Sequence, residues 1–596
     1  MSTQDVYKEL PSGYFRLLKI DSPEETLSCT TKDFPLNSTP TCLTPEYDAV
    51  SYCWGKADLT ATISCNGVSF KVTSHLYDAL RHLHLYRPHP PRWLWVDGVC
   101  INQNNYREKE VQVQLMARIY CQAQRTVAWL GLSENNSDIV MDNIASLSNK
   151  LALIGHPVPV EKLPLYGLMT KDDPIWRALG HFFGRAWFDR LWIIQEAALS
   201  ANIVVLCGSK SVDWRALTLF YEVVQKTALQ QLFLGEYDVR TYRSDGFFAI
   251  SLIIRAKQIL KQWGFYVLLP ILCEGRSKKC TEPVDRIWGF LGLIHSGIRD
   301  DIEGSGFVDY SPDSKRRYYQ TYINFGKWYI QKHDPNLQLL SLASSVVKHP
   351  DIPSWCPDWT STQEYNSFVA ISSYRAGYTV IKHQESHTRI LPGSNNIRIP
   401  GFQVDIVGQV AEMFWTFSQL MDHVVGPHGK AAQLLEWESE CLKISQQIYS
   451  QPDRVPEAHW RTLIGDRIAM QRCTQDLSGD YQTWKNDLVA KKNNRDEPLS
   501  ASKLATMSTY SSAVHTACKG RRYFGTRRGR IGLGPTELRS GDVVCVFYSG
   551  SPLYILRFEP GSVIARLVGD AYVHGLMSGE ALSLENREPD QDFIIG

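Results

Sequence analysis

One carboxylate stands out in this sequence because it lies in a run of otherwise apolar residues. Residues 187–199 have the apolar spacing of a helix, and Glu196 falls one turn after Trp192 within it. Among such neighbours a carboxylate loses hydration, and burial raises its pKa. A carboxyl group of this kind can act in catalysis. It can equally be a structural glutamate paired with Arg190 or with another arginine, so the sequence leaves both roles open.

Four further candidates lie at the ends of two segments that we predict to be buried strands, residues 47–53 and 93–97. Parallel strands bind their ligands beyond the carboxyl ends, so side chains at these two ends should lie close together. The candidates for contacting a ligand there are Ser51, Trp54, Asp97 and Asn102.

Each of these four residues has a binding interpretation and a structural one. The Trp54 ring could stack on a flat base, which contributes about 1–3 kcal/mol, or it could pack in the core. The Ser51 hydroxyl could bond a ribose or a phosphate. Asp97 could hold a ligand or cap the loop 98–103 through its backbone N–H groups. Asn102 suits a ligand and loop bracing equally.

Alternating strand and helix patterns position these candidates. From residue 47 to residue 207 they run as strand, hairpin, helix, strand, helix, strand, helix and strand, with a helical insertion at 137–183. Such alternation predicts an α/β fold in which a parallel sheet carries helices on both faces.

Changes in composition and in hydrophobic patterning divide the chain into four predicted regions. Residues 1–46 read as an irregular N-terminal segment, and residues 47–210 form the α/β domain. Residues 211–395 are mainly helical. Residues 396–596 form a C-terminal region that ends in short β-like runs separated by glycines, which is typical of a small β-rich domain.

Composition and missing motifs exclude several classes of protein. The 596 residues carry a net charge of +1, so no chain-wide basic surface for nucleic acid is expected. The 14 cysteines contain no CxxC pair, and we expect no metal site. No apolar run reaches the ~20 residues of a membrane span, so we expect a cytoplasmic protein. The absence of P-loop, GxGxxG and GxSxG motifs argues against kinases, standard dehydrogenases and serine esterases.

Three sequence blocks together resemble the fungal heterokaryon incompatibility (HET) domain. They are YDAVSYCWG at 47–55, LWVDGVCINQ at 94–103 and RLWIIQE at 190–196. The family shows Y-x-A-L-S-Y-x-W-G, L-W-I-D-x-x-C-I-N-Q and R-x-W-x-x-Q-E blocks in the same order. Val50 and Val96 replace a leucine and an isoleucine of that pattern.

The resemblance to this family continues through most of the chain, in blocks at 285–293, 353–359 and 569–577. It implies a cytosolic fungal protein that acts in non-self recognition and promotes regulated cell death. The implied partner is an incompatible allelic or non-allelic protein, and self-association is implied as well.

The spacing Trp192-x-x-x-Glu196 also resembles the W-C-x-x-E spacing of Toll/interleukin-receptor (TIR) domains. This second resemblance implies a TIR-like, Rossmann-like parallel sheet and makes Glu196 the catalytic residue of an NAD hydrolase. NAD is then the substrate and no cofactor is needed. The residues implied to position the dinucleotide are Ser51, Trp54, Asp97 and Asn102.

The chemistry of such a reaction needs one carboxylate. The nicotinamide ring is positively charged while it is bonded to the ribose, so it leaves as a neutral molecule and needs no general acid. The transition state resembles an oxocarbenium ion. A carboxylate on the ribose stabilises that positive charge. Two non-enzymatic alternatives stay open: an interaction or signalling module in which Glu196 is structural, and a gene-cluster-associated regulator without death activity.

Overall fold

The structure is a computed structural model that describes most of the chain in two compact units, Met1–Arg316 and Arg317–Gly596. No helix among the residues it describes is long and apolar enough to cross a bilayer. The described residues are 6–22, 27–36, 43–55, 59–86, 93–234, 245–262, 268–294, 308–343, 348–361, 368, 374–377, 388–414, 427–450, 455–468, 471–493, 501–585 and 587–596.

A nine-stranded sheet forms the centre of the first unit. Its strands are β1 (Tyr14–Ser22), β2 (Ser28–Pro35), β3 (Tyr47–Tyr52), β4 (Ala61–Cys65), β5 (Val68–Val72), β6 (Trp93–Trp95), β7 (Arg125–Trp129), β8 (Ile203–Cys207) and β9 (Lys210–Asp213). They lie in the order β5-β4-β2-β1-β6-β3-β7-β8-β9.

The middle of this sheet is parallel, which confirms the predicted α/β class. Strands β6, β3, β7 and β8 pair in parallel, with Tyr47 opposite Trp93 and Thr126 opposite Ile203. Antiparallel neighbours flank them, β1 beside β6 and β9 beside β8, so the sheet as a whole is mixed.

The N-terminal segment differs from the prediction. Residues 1–46 were expected to be irregular, but β1 and β2 form an antiparallel pair within them, with Phe15 opposite Phe34. Leu17 and Leu18 on β1 are both fully buried. Because β1 also pairs with β6, this segment extends the sheet beyond the domain start predicted at residue 47.

Helices pack around the sheet of the first unit. Asn105 caps the N-terminus of α3 by accepting hydrogen bonds from the backbone N–H groups of Arg107 and Glu108. The helices are α1 (Ser74–Leu85), α2 (Asp97–Cys100), α3 (Tyr106–Gln122), α4 (Ser137–Ile154), α5 (Pro174–Phe183), α6 (Ala186–Asp189), α7 (Ile193–Leu199), α8 (Trp214–Thr227), α9 (Gln231–Leu234), α10 (Asp245–Gln262), α11 (Leu268–Gly275), α12 (Asp285–Leu291) and Pro312–Arg316, with a 3-10 helix at Val160–Tyr166.

The helix predicted at 187–199 is interrupted. It forms two short helices, α6 and α7, because Arg190 is extended and makes an isolated bridge to Lys279. The Leu191 N–H donates to the Lys279 carbonyl, and the Lys279 N–H donates to the Asp189 carbonyl. This break lets Arg190 and Glu196 approach the same strand end from different directions.

The second unit contains a larger β-rich part than the sequence predicts. Strand β11 (Ile397–Met413) lies at the start of the region 396–596, well before the β-like runs predicted at its end, and it pairs with three later strands. The other strands are β10 (Arg389–Ile390), β12 (Arg467–Ile468), β13 (Gln471–Arg472), β14 (Arg521–Thr526), β15 (Ile531–Pro535), β16 (Val543–Phe547), β17 (Leu553–Phe558), β18 (Ile564–Val573) and β19 (Gln591–Ile595).

Six of these strands close on themselves. The order β11-β14-β15-β18-β17-β16 returns to β11 through a β11–β16 pairing, so these six strands have neighbours on both sides. Buried tryptophans, among them Trp437, Trp460 and Trp484, pack the helices on this ring. The helices of the unit are Tyr318–Lys332, Gln338–Ser341, Pro427–Tyr449, Glu457–Leu463, Ser478–Lys492 and Ala501–Cys518, with a 3-10 helix at Glu580–Ser583.

Candidate functional site

The carboxyl ends of two neighbouring parallel strands bring the predicted residues to one edge of the sheet. Ser51 is the penultimate residue of β3, and Asp97 begins α2 two residues after β6 ends. Ala49 lies opposite Trp95 across the pair, which sets both strand ends at the same level. The predicted proximity of the two ends is therefore observed.

A chain of hydrogen bonds links the strand end to α7. The Ser51 hydroxyl donates to Glu196 Oε2, and Trp187 Nε1 donates to the Ser51 oxygen over 2.8 Å. Ser51 is 1% exposed and Glu196 is 2% exposed. The carboxylate that the sequence singles out therefore lies buried at the strand end.

Arg190 interacts electrostatically with both Glu196 and Asp97. Its Nη1 atom is 3.9 Å from Glu196 Oε1 and donates a hydrogen bond to the Tyr52 carbonyl. Burial raises the pKa of Asp97, and the same Arg190 guanidinium opposes that rise. The structure therefore shows the pairing with Arg190, which is one of the two roles that the sequence left open for Glu196.

Burial dominates the electrostatics of this cluster. It raises the pKa of Glu196 to about 7; Arg190 and the Ser51 hydrogen bond oppose that shift, and the charge of Asp97 adds to it. Burial also raises the pKa of Asp97. The pKa of the buried Tyr52 hydroxyl is well above its usual range, first through burial and then through the charge of Asp97. Glu196 can therefore change protonation state near neutral pH.

Trp54 lies at the outer side of the cluster. Its indole Nε1 donates to Asp97 Oδ2 over 2.9 Å, and the residue is 36% exposed. The ring is therefore held by Asp97 but is not enclosed in the core. The Gly98 N–H and the Gln103 amide bond to Asp97 as well, so this aspartate also braces its own loop.

Asn102 is tied into the same loop rather than to the cluster around Glu196. Its side-chain oxygen accepts a hydrogen bond from the Asn104 N–H, and its own N–H donates to Glu108 Oε1 over 2.8 Å. These contacts fit the loop-bracing interpretation of Asn102.

Two participants in the site were not predicted as functional residues. Trp187 holds the Ser51 hydroxyl, and the Tyr52 side chain lies beside Asp97. Tyr52 is in the first sequence block, but no local pattern shows that its hydroxyl turns toward an acid from another strand. Across the described part of the chain, no group of three or more His, Cys, Asp or Glu side chains is placed to hold a metal ion.

Two family models match the chain, one within each of its two units. Residues 47–196 match the heterokaryon incompatibility protein (HET) model, and residues 395–595 match the Het-6 beta-barrel domain model. The first match includes both strand ends and finishes at Glu196. These matches identify a HET domain at residues 47–196 and a Het-6 beta-barrel domain at residues 395–595.

A curated relative resembles the chain from end to end. The chain is 28% identical to "Heterokaryon incompatibility protein 6, OR allele" of Neurospora crassa over 677 aligned residues. The alignment covers 98% of this chain and 96% of that protein. No solved structure matches the chain significantly.

Proposed function

We propose that this chain acts in heterokaryon incompatibility, as a cytoplasmic protein that recognises non-self and promotes regulated cell death. The end-to-end similarity to a heterokaryon incompatibility protein supports this role, as does the order of the two domain matches. The partner in this proposal is the product of an incompatible allelic or non-allelic gene.

The proposed activity of the first unit is cleavage of the nicotinamide–ribose bond of NAD. The observation that carries it is a single carboxyl group, Glu196, buried at the carboxyl edge of parallel strands with its pKa raised to about 7. This placement agrees with a TIR-like sheet, in which nucleotides bind beyond the strand ends. Trp54 offers an exposed ring beside Asp97 for stacking on a base.

In the proposed step, the bond between the ribose C1′ and the nicotinamide nitrogen breaks. Its electron pair leaves with nicotinamide, and positive charge develops on the ribose. Ionised Glu196 stabilises this charge, and water then adds to C1′ and releases a proton. In this proposal Asp97 and Ser51 bond ribose hydroxyls, and Asn102 supports the loop beside them. The products are nicotinamide and ADP-ribose.

Access to Glu196 requires movement in this proposal. Glu196 is 2% exposed, and one of its carboxylate oxygens accepts a hydrogen bond from the Ser51 hydroxyl. We propose that self-association opens the strand end and turns the Ser51 hydroxyl toward the substrate. Opening also returns Glu196 to water, which lowers its pKa and favours the ionised form.

The same burial favours a second candidate function. A glutamate that is 2% exposed and lies 3.9 Å from Arg190 is what a purely structural role requires. In that case the first unit is a non-enzymatic interaction module, and Glu196 only fixes the helix to the strand end.

The experiment that separates these functions measures nicotinamide release by the purified full-length protein, across concentrations that include its self-associated form. The wild type should release nicotinamide, and Glu196→Gln should reduce the rate by about 10²–10³-fold. Glu222→Gln is the matched control, because Glu222 is an exposed glutamate on α8 in the same unit. Equal rates for the wild type and Glu196→Gln would contradict the hydrolase proposal, as would no release by the self-associated wild type.

A further inference from the structure

Two arginine side chains of the second unit stack on one cluster of aromatic rings. The rings are those of Phe368, Tyr374 and Tyr572, whose centroids lie 5.8, 6.0 and 6.4 Å apart. The guanidinium carbon of Arg521 is 3.6 Å from the Phe368 centroid, and that of Arg467 is 3.4 Å from the Tyr374 centroid. Arg521 is fully buried and Arg467 is 5% exposed.

The two arginines differ in their polar partners. Arg521 Nη2 lies 2.6 Å from Asp570 Oδ1, so its charge is paired inside the protein. Nε, Nη1 and Nη2 of Arg467 are all buried, and none meets hydrogen-bond geometry with a residue that the structure describes. Burial lowers the pKa of Arg467, and the neighbouring Tyr374 hydroxyl opposes that fall by its charge and by hydrogen bonding. This hydroxyl donates its own proton to the Gly465 carbonyl, so it can offer Arg467 only one neutral acceptor.

Asp466, the residue before Arg467, already pairs with two other arginines. Asp466 Oδ1 lies 2.8 Å from Arg461 Nη1, and Asp466 Oδ2 lies 3.3 Å from Arg472 Nε. Two guanidinium groups therefore pair with Asp466, and Arg467 bonds to neither of its oxygens. Glu457 adds to this shortage of free acceptors because it also pairs with Arg461.

A buried guanidinium needs an anionic or hydrogen-bonding partner. Arginine stays protonated in proteins, and a charge removed from water without a partner is strongly unfavourable. Its planar fork matches the oxygens of a phosphate, which can accept two parallel N–H bonds. The stacked Tyr374 ring covers one face of the Arg467 guanidinium, so a phosphate would have to bind at its edge.

We propose that Arg467 is the base of an oxyanion site in the second unit that binds a phosphate group. Arg461 and Arg472 supply additional positive potential, because Asp466 and Glu457 do not neutralise all three arginines. The site is supported by residues 569–577, one of the blocks that resemble the HET family. Asp570 forms an ion pair with Arg521, and the Tyr572 hydroxyl lies 3.1 Å from His574 Nδ1. This site is independent of the cluster around Glu196.

The test titrates the full-length protein with inorganic phosphate by calorimetry, in chloride buffer of constant ionic strength at neutral pH. The wild type should bind phosphate, and Arg467→Lys should lower the affinity at least tenfold because it keeps the charge but removes the fork. Arg566→Gln, an exposed arginine of the same unit, should leave the affinity unchanged. No binding by the wild type, or equal affinity in Arg467→Lys, would overturn the proposal and leave a site filled by water.

Two further arms complete this test. Acetate at the same concentration should bind more weakly than phosphate, and equal binding would overturn the assignment to phosphate. Tighter binding of AMP than of inorganic phosphate identifies a phosphate ester as the natural source, and the reverse order identifies free phosphate.

A second variant keeps the proposal testable if Arg467→Lys does not fold. Arg472 has a side chain that is 62% exposed, and its removal releases Asp466 Oδ2. Arg472→Gln should therefore weaken phosphate binding, because Asp466 then competes for Arg467. Unchanged phosphate affinity in a folded Arg472→Gln protein would contradict the proposed site.

Discussion

The Ser51 hydroxyl donates a hydrogen bond to the Glu196 carboxylate, which joins the end of a parallel strand to a helix 145 residues further along the chain. Both residues are buried, and Trp187 donates to the same hydroxyl. Ser51 therefore orients an acid whose pKa is raised to about 7. The stability and the activity of the first unit should both depend on this contact.

Removing the Ser51 hydroxyl should destabilise the protein. Ser51→Ala leaves Glu196 and the Trp187 indole with one partner fewer, and an unsatisfied buried polar group costs about 1–3 kcal/mol. The loss should appear as a lower free energy of unfolding in urea. Ser69→Ala, at an exposed position on β5, should change the free energy of unfolding by less than about 0.5 kcal/mol. An equally small change in Ser51→Ala would show that the hydrogen bond is not needed.

Removing Arg190 should be more damaging, and the damage should depend on pH. Breaking a buried ion pair costs about 3–5 kcal/mol because it leaves uncompensated charge. In Arg190→Met the loss should be greater at pH 8, where Glu196 is ionised, than at pH 5, where it is largely protonated. Unfolding in urea at both pH values measures the difference. A loss of the same size at pH 5 and pH 8 would rule out Arg190 as the counter-ion, and Arg215→Gln on the surface should have little effect at either pH.

Glu196 should make the stability of the wild type fall as the pH rises. Its pKa is raised from 4.5 in the unfolded chain to about 7 in the folded protein. The stability that this shift provides is complete below pH 4.5 and is lost as the pH rises through 7, a change of about 3 kcal/mol. Glu196→Gln cannot titrate, so it should lack this fall between pH 5 and pH 8, whereas Glu222→Gln should keep it. Parallel stability curves for the wild type and Glu196→Gln would contradict the raised pKa.

Trp54 should matter for ligand binding more than for folding. The ring is 36% exposed and bonds only to Asp97 in this cluster, so Trp54→Ala should cost about 1 kcal/mol of stability or less. Its effect on NAD affinity should be larger, about 1–3 kcal/mol from lost stacking. Calorimetric titration with NAD tests this, with Tyr166→Ala as an exposed aromatic control. Unchanged affinity in Trp54→Ala would remove this residue from the binding site.

Much of the first unit could be predicted because its signals are local. The runs at 47–53 and 93–97 are short and apolar, and Asn105 begins a helix by a side-chain bond to the next turn. In contrast, the pair β1–β2 was missed because only Cys29 and Phe34 of β2 are buried, and most of its other residues are polar. Its stability comes from pairing with β1, which no pattern within residues 1–46 shows.

Long-range contacts account for what the sequence did not predict. The helix at 187–199 breaks because Arg190 bridges to Lys279, and no residue between 187 and 199 signals that bridge. Strand β11 contains Pro400 and Gly401, which normally argue against a strand. A Cβ at Gly401 would lie 2.1 Å from the Val546 carbonyl oxygen, so close strand approach requires glycine there.

The candidate site also combines features predicted from local sequence with contacts that only the fold determines. Ser51, Trp54 and Asp97 were predicted to lie near one another because they are at the ends of two recognisable strands, and they do lie at one edge of the sheet. The partners of Glu196 could only be proposed as alternatives. The contact with Ser51 depends on how α7 packs against the sheet, which sequence spacing does not encode.

The most direct test of the account compares NAD levels and viability in fungal cells that express the wild type, Glu196→Gln or Glu222→Gln at equal levels under incompatible conditions. If Glu196 cleaves NAD, the NAD level should fall before viability does in the wild type and in Glu222→Gln. In Glu196→Gln both the NAD level and viability should be maintained. Cell death by the wild type with unchanged NAD would contradict the account and assign the first unit to a non-enzymatic role.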